Sequence, residues 1–334
     1  MIYTLGPIRK QILGLGLHEA TFAARGFDTD TPARGRLEEV AKTVIYGYNA
    51  ALEITGGEED IVALTNRTKP ELQGFLSEGL AMGLFARGRF SLGNSLAFWN
   101  FARRNGGQHE YMSYVGAGLA VGVFGSSYRK FIERACPLCG SLVLDGIGFY
   151  YAMFKTKRGI HQQYVPASIA RDRFYQGRYD NGLGRAVWFY AGGDPGKVAA
   201  TIAAFPAERQ ADIWSGIGLA CTYAGGVSEE QIWQLAELSG QYRAYLGQGC
   251  FLAAHTRHRA GNPREDSSTE LILTGHDSAA CHREGLAIRE RLLGKREVDG
   301  RPSFLLLLEQ VRAFLTPPPV RSRIVCYGTI VHEL

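Results

Sequence analysis

The sequence of 334 residues lacks the long apolar runs and dense basic patches that direct a chain to a membrane or to nucleic acid. Its longest uncharged apolar run, residues 111–124, is shorter than the about 20 residues that cross a bilayer. The net charge of +5 is spread along the chain and forms no basic stripe with interleaved aromatics. We therefore expect a protein that does not span a membrane and does not bind nucleic acid.

The sequence also lacks a secretion signal and is poor in cysteine. Residues 1–27 contain an early basic pair but neither an adequate apolar core nor a clear cleavage site. Among six cysteines, only Cys136 and Cys139 lie close together, and no second CxxC completes a zinc site. We therefore expect a cytoplasmic location and a loop with free thiols, which we favour over a zinc or redox centre.

Motifs for bound cofactors are incomplete. Residues 192–197, GGDPGK, resemble a phosphate loop, but three residues rather than four separate the outer glycines and no Ser or Thr follows the lysine. They predict instead a helix capped by Asp194, with Pro195 at its first position. A group of histidines matches no standard metal-ligand spacing: His255, His258, His276 and His282. We expect no cofactor and no metal, and a metal-dependent enzyme at this group is the less favoured alternative.

Glycine is the residue present in excess, since 42 glycines are near twice the average share of about 7%. Six of them lie at the centres of successive apolar runs: Gly79, Gly118, Gly146, Gly184, Gly216 and Gly249. Their intervals of 39, 28, 38, 32 and 33 residues scatter around the about 34 residues of a tetratricopeptide-like hairpin. The spacing predicts an irregular array of stacked helical hairpins with a small residue at each crossing, and a non-repetitive α-bundle is the alternative.

Almost no segment alternates with period two, so residues 1–334 predict a single all-α domain. We divide it into a lead-in, a helical body and an extended tail: residues 1–30, 31–315 and 316–334. Weak alternation at residues 324–331 allows one short C-terminal strand. Between apolar helices at 142–154 and 183–190, the polar, basic and aromatic residues 155–180 predict the longest irregular segment.

Two acidic residues lie inside apolar helical runs, Glu78 in FLSEGLAMGLF and Asp145 in SLVLDGIGFYYAMF. Burial of a carboxylate is unfavourable unless the group is paired or protonated. Arg185, in GLGRAVWF, offers a partner for either acid. We assign Glu78, Asp145 and Arg185 as candidate catalytic residues, because a raised pKa in a cavity suits a general acid. A structural ion pair between helices is the alternative.

Aromatic residues are dense around these positions, as they are in the wall of an apolar ligand pocket. The candidate substrate-binding residues are Phe149, Tyr150, Trp188, Trp214, Tyr223 and Gln248. The same aromatic residues also suit a packed core, so residue type alone does not separate a pocket from a core.

A family resemblance extends over about residues 15–262. Its segments are HEATFAARGF at 18–27, EG at 78–79, YVGAG at 114–118, LDGIGF at 144–149, GLGRAVWF at 182–189, ADIWSGIGLA at 211–220 and YAGG at 223–226. Together they resemble the bacterial domain-of-unknown-function 1702 family, which includes the UnbL-type proteins of enediyne biosynthetic clusters. The resemblance implies a role in secondary metabolism, near an iterative polyketide synthase that makes a polyene. The family has no established catalytic residues, so none is carried over.

Two functions follow from the residues and the resemblance together. The first is an accessory biosynthetic protein that binds and transforms an apolar polyene or isoprenoid intermediate in a pocket between helices. It would act as a cofactor-independent acid/base enzyme such as a cyclase or isomerase. The alternative is a non-catalytic helical-repeat scaffold that docks a polyketide synthase, another pathway protein or a membrane partner.

Overall fold

The computed structural model describes residues 5–54, 57–90, 96–104 and 107–316. The described residues are 75% helical, which confirms the predicted all-α class. The lead-in holds α1 (Leu5–Leu13) and α2 (Phe22–Arg25). The helical body then follows with α3 (Arg34–Glu53), α4 (Glu58–Arg67), α5 (Gln73–Phe90), α6 (Ala97–Arg103), α7 (Glu110–Phe124), α8 (Tyr128–Arg134), α9 (Leu142–Phe154), α10 (Ala167–Ala170), α11 (Arg173–Tyr190), α12 (Pro195–Ala203), α13 (Ala207–Ala224), α14 (Glu229–Leu238), α15 (Arg243–Arg259), α16 (Ser268–Thr274) and α17 (Ser278–Leu292).

Shorter elements complete the described chain. Strands β1 (Glu297–Val298) and β2 (Arg301–Pro302) form an antiparallel hairpin in which Glu297 pairs with Pro302, and α18 (Ser303–Phe314) follows it. Single turns of 3-10 helix lie at Leu17–Ala20, Pro70–Leu72 and Gly240–Tyr242, and a π-helical turn lies at Lys157–His161. The strand predicted at residues 324–331 lies outside the described residues.

Long and short helices alternate from α3 to α17. Each odd-numbered helix packs along the next odd-numbered helix, and the even-numbered helices connect them on the outside. Local sequence sets the ends of several helices. In α12, Asp194 Oδ1 accepts a hydrogen bond from Lys197 N (2.7 Å), and Pro195 occupies the first turn. The GGDPGK segment is therefore the capped helix start that its sequence predicts.

The prediction of an irregular segment over residues 155–180 is wrong for its last eight residues, because α11 already begins at residue 173. This part of α11 buries the charged side chains of Arg178 and Asp180 on either side of Tyr179. Arg178 Nη2 donates to Asp212 Oδ1 (3.1 Å), and Arg209 Nε donates to Asp180 Oδ1 (3.1 Å). Since these partners come from α13, the helix buries charge without leaving it unpaired. Charged residues on the buried face interrupt the helical spacing of apolar residues. The sequence analysis therefore missed the start of α11.

Pairs of glycines make the closest contacts between the long helices. Because successive residues are about 100° apart around an α-helix, glycines two positions apart face nearly opposite sides. On α9, a Cβ added to Gly146 would lie 2.0 Å from Val115 O on α7. A Cβ added to Gly148 would lie 1.9 Å from Tyr179 O on α11. Glycine at both positions therefore allows α9 to touch both neighbours at backbone distance.

The same contact recurs along the array and defines its repeat. The glycines that meet the preceding long helix are Gly79, Gly116, Gly146, Gly182, Gly216 and Gly249, at intervals of 37, 30, 36, 34 and 33 residues. The sequence-based set instead contained Gly118 and Gly184, which face the following helix. Both lie at helix crossings as predicted, but residue type does not show which glycine of a pair faces the preceding helix. The more even spacing favours a helical-repeat array over a non-repetitive bundle.

The array curves so that its first long helices meet a later one. Arg36 Nε on α3 donates to Ala224 O at the end of α13 (3.0 Å). The ring of Phe75 on α5 lies edge-on to that of Tyr223 on α13, with centroids 5.1 Å apart. This curvature encloses a space between α3, α5, α7, α9 and α11.

Candidate functional site

An apolar cavity of about 40 Å³ lies inside the curved part of the array. Its wall comes from five long helices, with residues such as Val44, Met82, Leu119, Phe149 and Phe189, and the lead-in covers one side. This volume equals the space that two or three water molecules occupy. The cavity is therefore narrow in this conformation.

Charged side chains interrupt the apolar lining at Glu19 in the lead-in and at Glu78 and Arg185 on the long helices. Glu78 and Arg185 both line the cavity, and Asp145 lies behind them. Arg185 Nη2 is 3.5 Å from Glu78 Oε1, and Arg185 Nη1 donates to Asp145 Oδ1 at 2.6 Å. The three side chains are 3% to 7% exposed. The structure thus brings together all three residues that the sequence singled out as candidate catalytic groups, from α5, α9 and α11.

The protonation of this cluster follows from burial and from the single cation. Burial raises the pKa of Glu78, and the charge of Asp145 raises it further against the opposing effect of Arg185. Burial also raises the pKa of Asp145, against the charge and hydrogen bond of Arg185. Burial alone would lower the pKa of Arg185, but the two carboxyl groups raise it, so Arg185 stays cationic. One cation balances one carboxylate, so ionisation of the second carboxyl group is disfavoured.

A chain of buried polar side chains determines which carboxyl group is ionised. The surroundings of the Asn181 amide orient it so that its nitrogen donates to Asp145 Oδ2 (2.7 Å) and its oxygen accepts from Ser215 Oγ (2.9 Å). Gln248 Nε2 donates to Ser215 Oγ (2.8 Å), and Arg312 donates to Gln248 Oε1. Every donor in this chain points toward Asp145, which stabilises its negative charge. Asp145 is therefore the carboxylate of the cluster.

The protonated form is consequently favoured more at Glu78 than at Asp145. Its one close ionic contact, at 3.5 Å from Arg185, is longer than that of Asp145. A neutral carboxylic acid that faces an apolar cavity can donate a hydrogen bond or a proton to a bound molecule.

The predicted substrate-binding residues differ in whether they line the cavity. Phe149 lines the cavity, and the Arg185 guanidinium lies 5.1 Å above its ring. The other five lie outside the cavity wall. Tyr150 packs over α7, Trp188 and Trp214 are buried in the core, Tyr223 packs on α5, and Gln248 belongs to the polar chain.

Several wall residues escaped the sequence analysis although a simple signal was available. Phe75 and Met82 lie three positions before and four after Glu78, on the same helical face. Met153 lies four positions after Phe149 and also lines the cavity. Extension of the predicted site residues by one helical turn would therefore have found these three residues of the cavity wall.

The histidine group is arranged as a stack. The rings of His258 and His282 lie 4.9 Å apart at 15°, and His255 lies 5.2 Å from His282 at 32°. Burial lowers the pKa of His255 to about 3. Rings stacked in this way turn their faces toward one another, so their nitrogen atoms do not converge on one point as metal ligands do. Among the residues that the structure describes, one group of three metal-type side chains brings its ligand atoms within 4.8 Å of one another: Glu110, Cys136 and Cys139.

The geometry defines an all-α helical-repeat protein with a charged cluster at the wall of an enclosed apolar cavity. A family model described as "Protein of unknown function (DUF1702)" matches residues 4–312, and the chain belongs to this family. No curated protein and no solved structure matches the chain. In the part of the chain that the structure describes, no helix is both long and apolar enough to cross a membrane.

Proposed function

We propose that this protein binds an elongated apolar intermediate, a polyene or isoprenoid of bacterial secondary metabolism, and that Glu78 acts on it as a general acid. The observation that carries the proposal is the position of Glu78, a buried carboxyl group whose pKa is raised by burial, at an apolar cavity beside a fixed cation. The expected relation to enediyne-type polyketide pathways comes from the family resemblance. It supplies the class of the substrate, whereas the geometry supports the type of chemistry.

The reaction is an isomerisation or cyclisation that needs no cofactor. Glu78 donates its proton to a carbon–carbon double bond, and the resulting carboxylate is stabilised by Arg185, which lies within 3.5 Å. The substrate cation that forms faces the rings of Phe75, Phe149 and Phe189, which attract positive charge. Loss of a proton from another carbon atom returns the proton to Glu78 and completes the cycle. Asp145 keeps Arg185 oriented throughout and does not touch the substrate.

Entry of a long substrate requires movement of the lead-in, because the closed cavity has a volume of only about 40 Å³. A few hydrogen bonds hold this cover in place. Asn49 accepts from Leu15 N (2.9 Å) and donates to Leu15 O (2.7 Å), and Tyr48 Oη donates to Leu13 O (2.8 Å). Phe22 N also donates to Glu38 Oε1 (3.0 Å), and the rings of Phe22 and Phe27 are buried, so substrate binding must offset all of these contacts. We expect the lead-in to move away from α3 when a ligand enters.

Native mass spectrometry of protein purified from a producing strain tests this proposal. We expect the wild type to retain an apolar ligand. Val44→Phe, which fills the cavity from α3, should retain none, whereas Val62→Phe places the same ring at a valine that is 44% exposed on α4 and should behave as the wild type. Absence of a ligand from the wild type, or equal retention by Val44→Phe, would contradict the proposal.

A non-catalytic scaffold is the second candidate function. Ile8 and Ile12 lie one turn apart on α1 and are 50% and 73% exposed, and such exposed apolar side chains are a feature of docking surfaces. If the protein is a scaffold, a pull-down from the producing strain should recover a pathway protein with the wild type and lose it with Ile12→Asp. Recovery of no pathway protein would exclude this function.

A further inference from the structure

The CxxC segment between α8 and α9 forms a second site, apart from the cavity. Cys136 is half-buried and lines an open surface pocket of about 610 Å³, whereas Cys139 is fully buried behind it. Both are free cysteines. The pocket shares no lining residue with the apolar cavity. A reagent can therefore reach one thiol of the pair directly and the other only through the first.

The two sulfur atoms are close enough to react with each other. Their Sγ atoms lie within 4.8 Å. Gly140 N donates to Cys136 O (2.8 Å), which closes one helical turn around the pair. Within a single turn, a small change of side-chain rotamer brings the two sulfur atoms to bonding distance.

The surroundings give the two thiols different roles. The hydrogen bond from Cys139 lowers the pKa of the Cys136 thiol to about 7, so a large fraction of it is thiolate at neutral pH. Burial raises the pKa of Cys139 well above its usual range. An exposed thiolate in front of a buried thiol is the arrangement in which the first attacks a disulfide and the second resolves the product.

The pocket around Cys136 is positively charged. Four arginines line it against one acidic residue, Glu110: Arg103, Arg134, Arg259 and Arg289. Glu110 is paired with Arg289 (2.9 Å) and lies 3.5 Å from Arg259. The lining therefore has a net positive charge and attracts a small anionic molecule.

We propose that Cys136 and Cys139 form a dithiol site that exchanges with an anionic low-molecular-weight disulfide bound in the arginine-lined pocket. The Cys136 thiolate attacks one sulfur of the disulfide, whose S–S bond breaks and releases the first small thiol. Cys139 then loses its proton and attacks Cys136 Sγ, which displaces the second small thiol. The two protein thiols are oxidised to one disulfide, the small disulfide is reduced to two thiols, and both thiol protons end on the products.

The same three ligand atoms could hold a metal, but the neighbouring cation opposes this. Arg289 Nη1 donates to Cys139 Sγ (3.3 Å) and its Nη2 donates to Glu110 (2.9 Å). A bound metal cation would meet a guanidinium at two of its three ligands, and the like charges would repel. We therefore assign the pair to thiol–disulfide exchange.

Peptide mapping of the whole protein after treatment with oxidised glutathione tests the assignment. We expect a Cys136–Cys139 disulfide in the wild type, and a trapped glutathione adduct on Cys136 in Cys139→Ser. The buried thiols of Cys221, Cys250 and Cys281 should remain unmodified and serve as internal controls. Oxidation by glutathione disulfide should be roughly tenfold faster than by the cationic disulfide cystamine, and Arg134→Gln should reduce this preference.

Three results would overturn the assignment. The first is a wild-type protein in which Cys136 reacts no faster than the buried cysteines. The second is a folded Cys139→Ser protein, checked by circular dichroism, that traps no adduct. The third is binding of one Zn²⁺ ion that protects both thiols from alkylation in the wild type, which would make the site a metal site.

Discussion

The early and late repeats of the array use the same backbone contact for different purposes. In both, a glycine meets the preceding helix, as Gly146 does on α9 and Gly216 on α13. The residue before that glycine differs, since it is Glu78 on α5 and Asp145 on α9 but Ser215 on α13 and Gln248 on α15. The two acids form a charged cluster with Arg185 at the cavity, whereas Gln248 donates to Ser215 and accepts from Arg312. The glycines therefore determine the fold, and the preceding residue determines where chemistry is feasible.

Removal of the acidic proton donor should have the largest effect on function. We expect Glu78→Gln to lower product formation in a producing strain by about 10²- to 10⁴-fold, the usual contribution of a general acid. Glu270→Gln is a matched control, because Glu270 is also a buried carboxyl group with a pKa raised by burial, but it lies on α16 outside the cavity wall. Equal loss in both variants would show that buried acids matter for folding alone.

Loss of the cation should destabilise the early repeats more than a comparable change destabilises the late ones. Arg185→Met leaves Asp145 buried without its charge partner, and we expect a loss of about 3 to 5 kcal/mol in the free energy of unfolding. Gln248→Leu leaves only neutral Ser215 and the partly exposed Arg312 unpaired, for which about 1 to 3 kcal/mol is expected. Urea unfolding measures both variants. Similar losses would remove the distinction between the two regions.

The shared glycine contact should respond equally in both regions. In Gly146→Ala and Gly216→Ala, the new Cβ would lie 2.0 Å from a carbonyl oxygen of the preceding helix. The helices must separate, so we expect each variant to lose about 1 to 3 kcal/mol or more. Gly35→Ala is the control, because nothing lies within 4 Å of its Cβ, and better helix propensity should stabilise it by about 0.5 to 1 kcal/mol. A neutral result at Gly146 or Gly216 would contradict the repeat contact.

The smallest expected difference is in the pH dependence of stability. The pKa of Glu78 is raised above its ordinary 4.5 by burial, so the folded protein keeps a proton that the unfolded chain loses. The stability that the protonated Glu78 carboxyl group contributes is complete below pH 4.5 and is lost as the pH rises through the pKa of the folded state. Glu78→Gln should remove this part of the slope, whereas Glu71→Gln, at an exposed glutamate, should retain it. Unfolding free energies between acidic and neutral pH measure the slopes, and an unchanged slope in Glu78→Gln would place the proton elsewhere.

Charged residues in apolar runs made part of the site predictable from sequence. Glu78, Asp145 and Arg185 stand out because burial of a charge requires a partner, and the structure places them together. Bulky aromatic residues carry no such information. Trp188 and Phe149 look alike as apolar residues, yet Trp188 is in the core and Phe149 lines the cavity. Which side of a helix faces a cavity depends on how the helices curve.

The start of α11 and the repeat register show the same limit for the fold. Arg178 and Asp180 gave a polar pattern because their partners lie 34 and 29 positions away in sequence. Gly116 and Gly118 are equivalent in sequence, and only their neighbours distinguish them. Both features depend on contacts with residues distant in sequence, so a local pattern conceals them. The capped start of α12 depends on adjacent residues and was predictable.

Infrared difference spectroscopy tests the central claim, a protonated Glu78 at the cavity, most directly. The wild-type protein at neutral pH should show the carbonyl stretch of a protonated carboxylic acid that is absent from Glu78→Gln and present in the control Glu71→Gln, at an exposed glutamate. Identical spectra of the wild type and Glu78→Gln in this region would mean that Glu78 is ionised. In that case the cluster would hold two carboxylates around one arginine, and Glu78 would have no proton to donate.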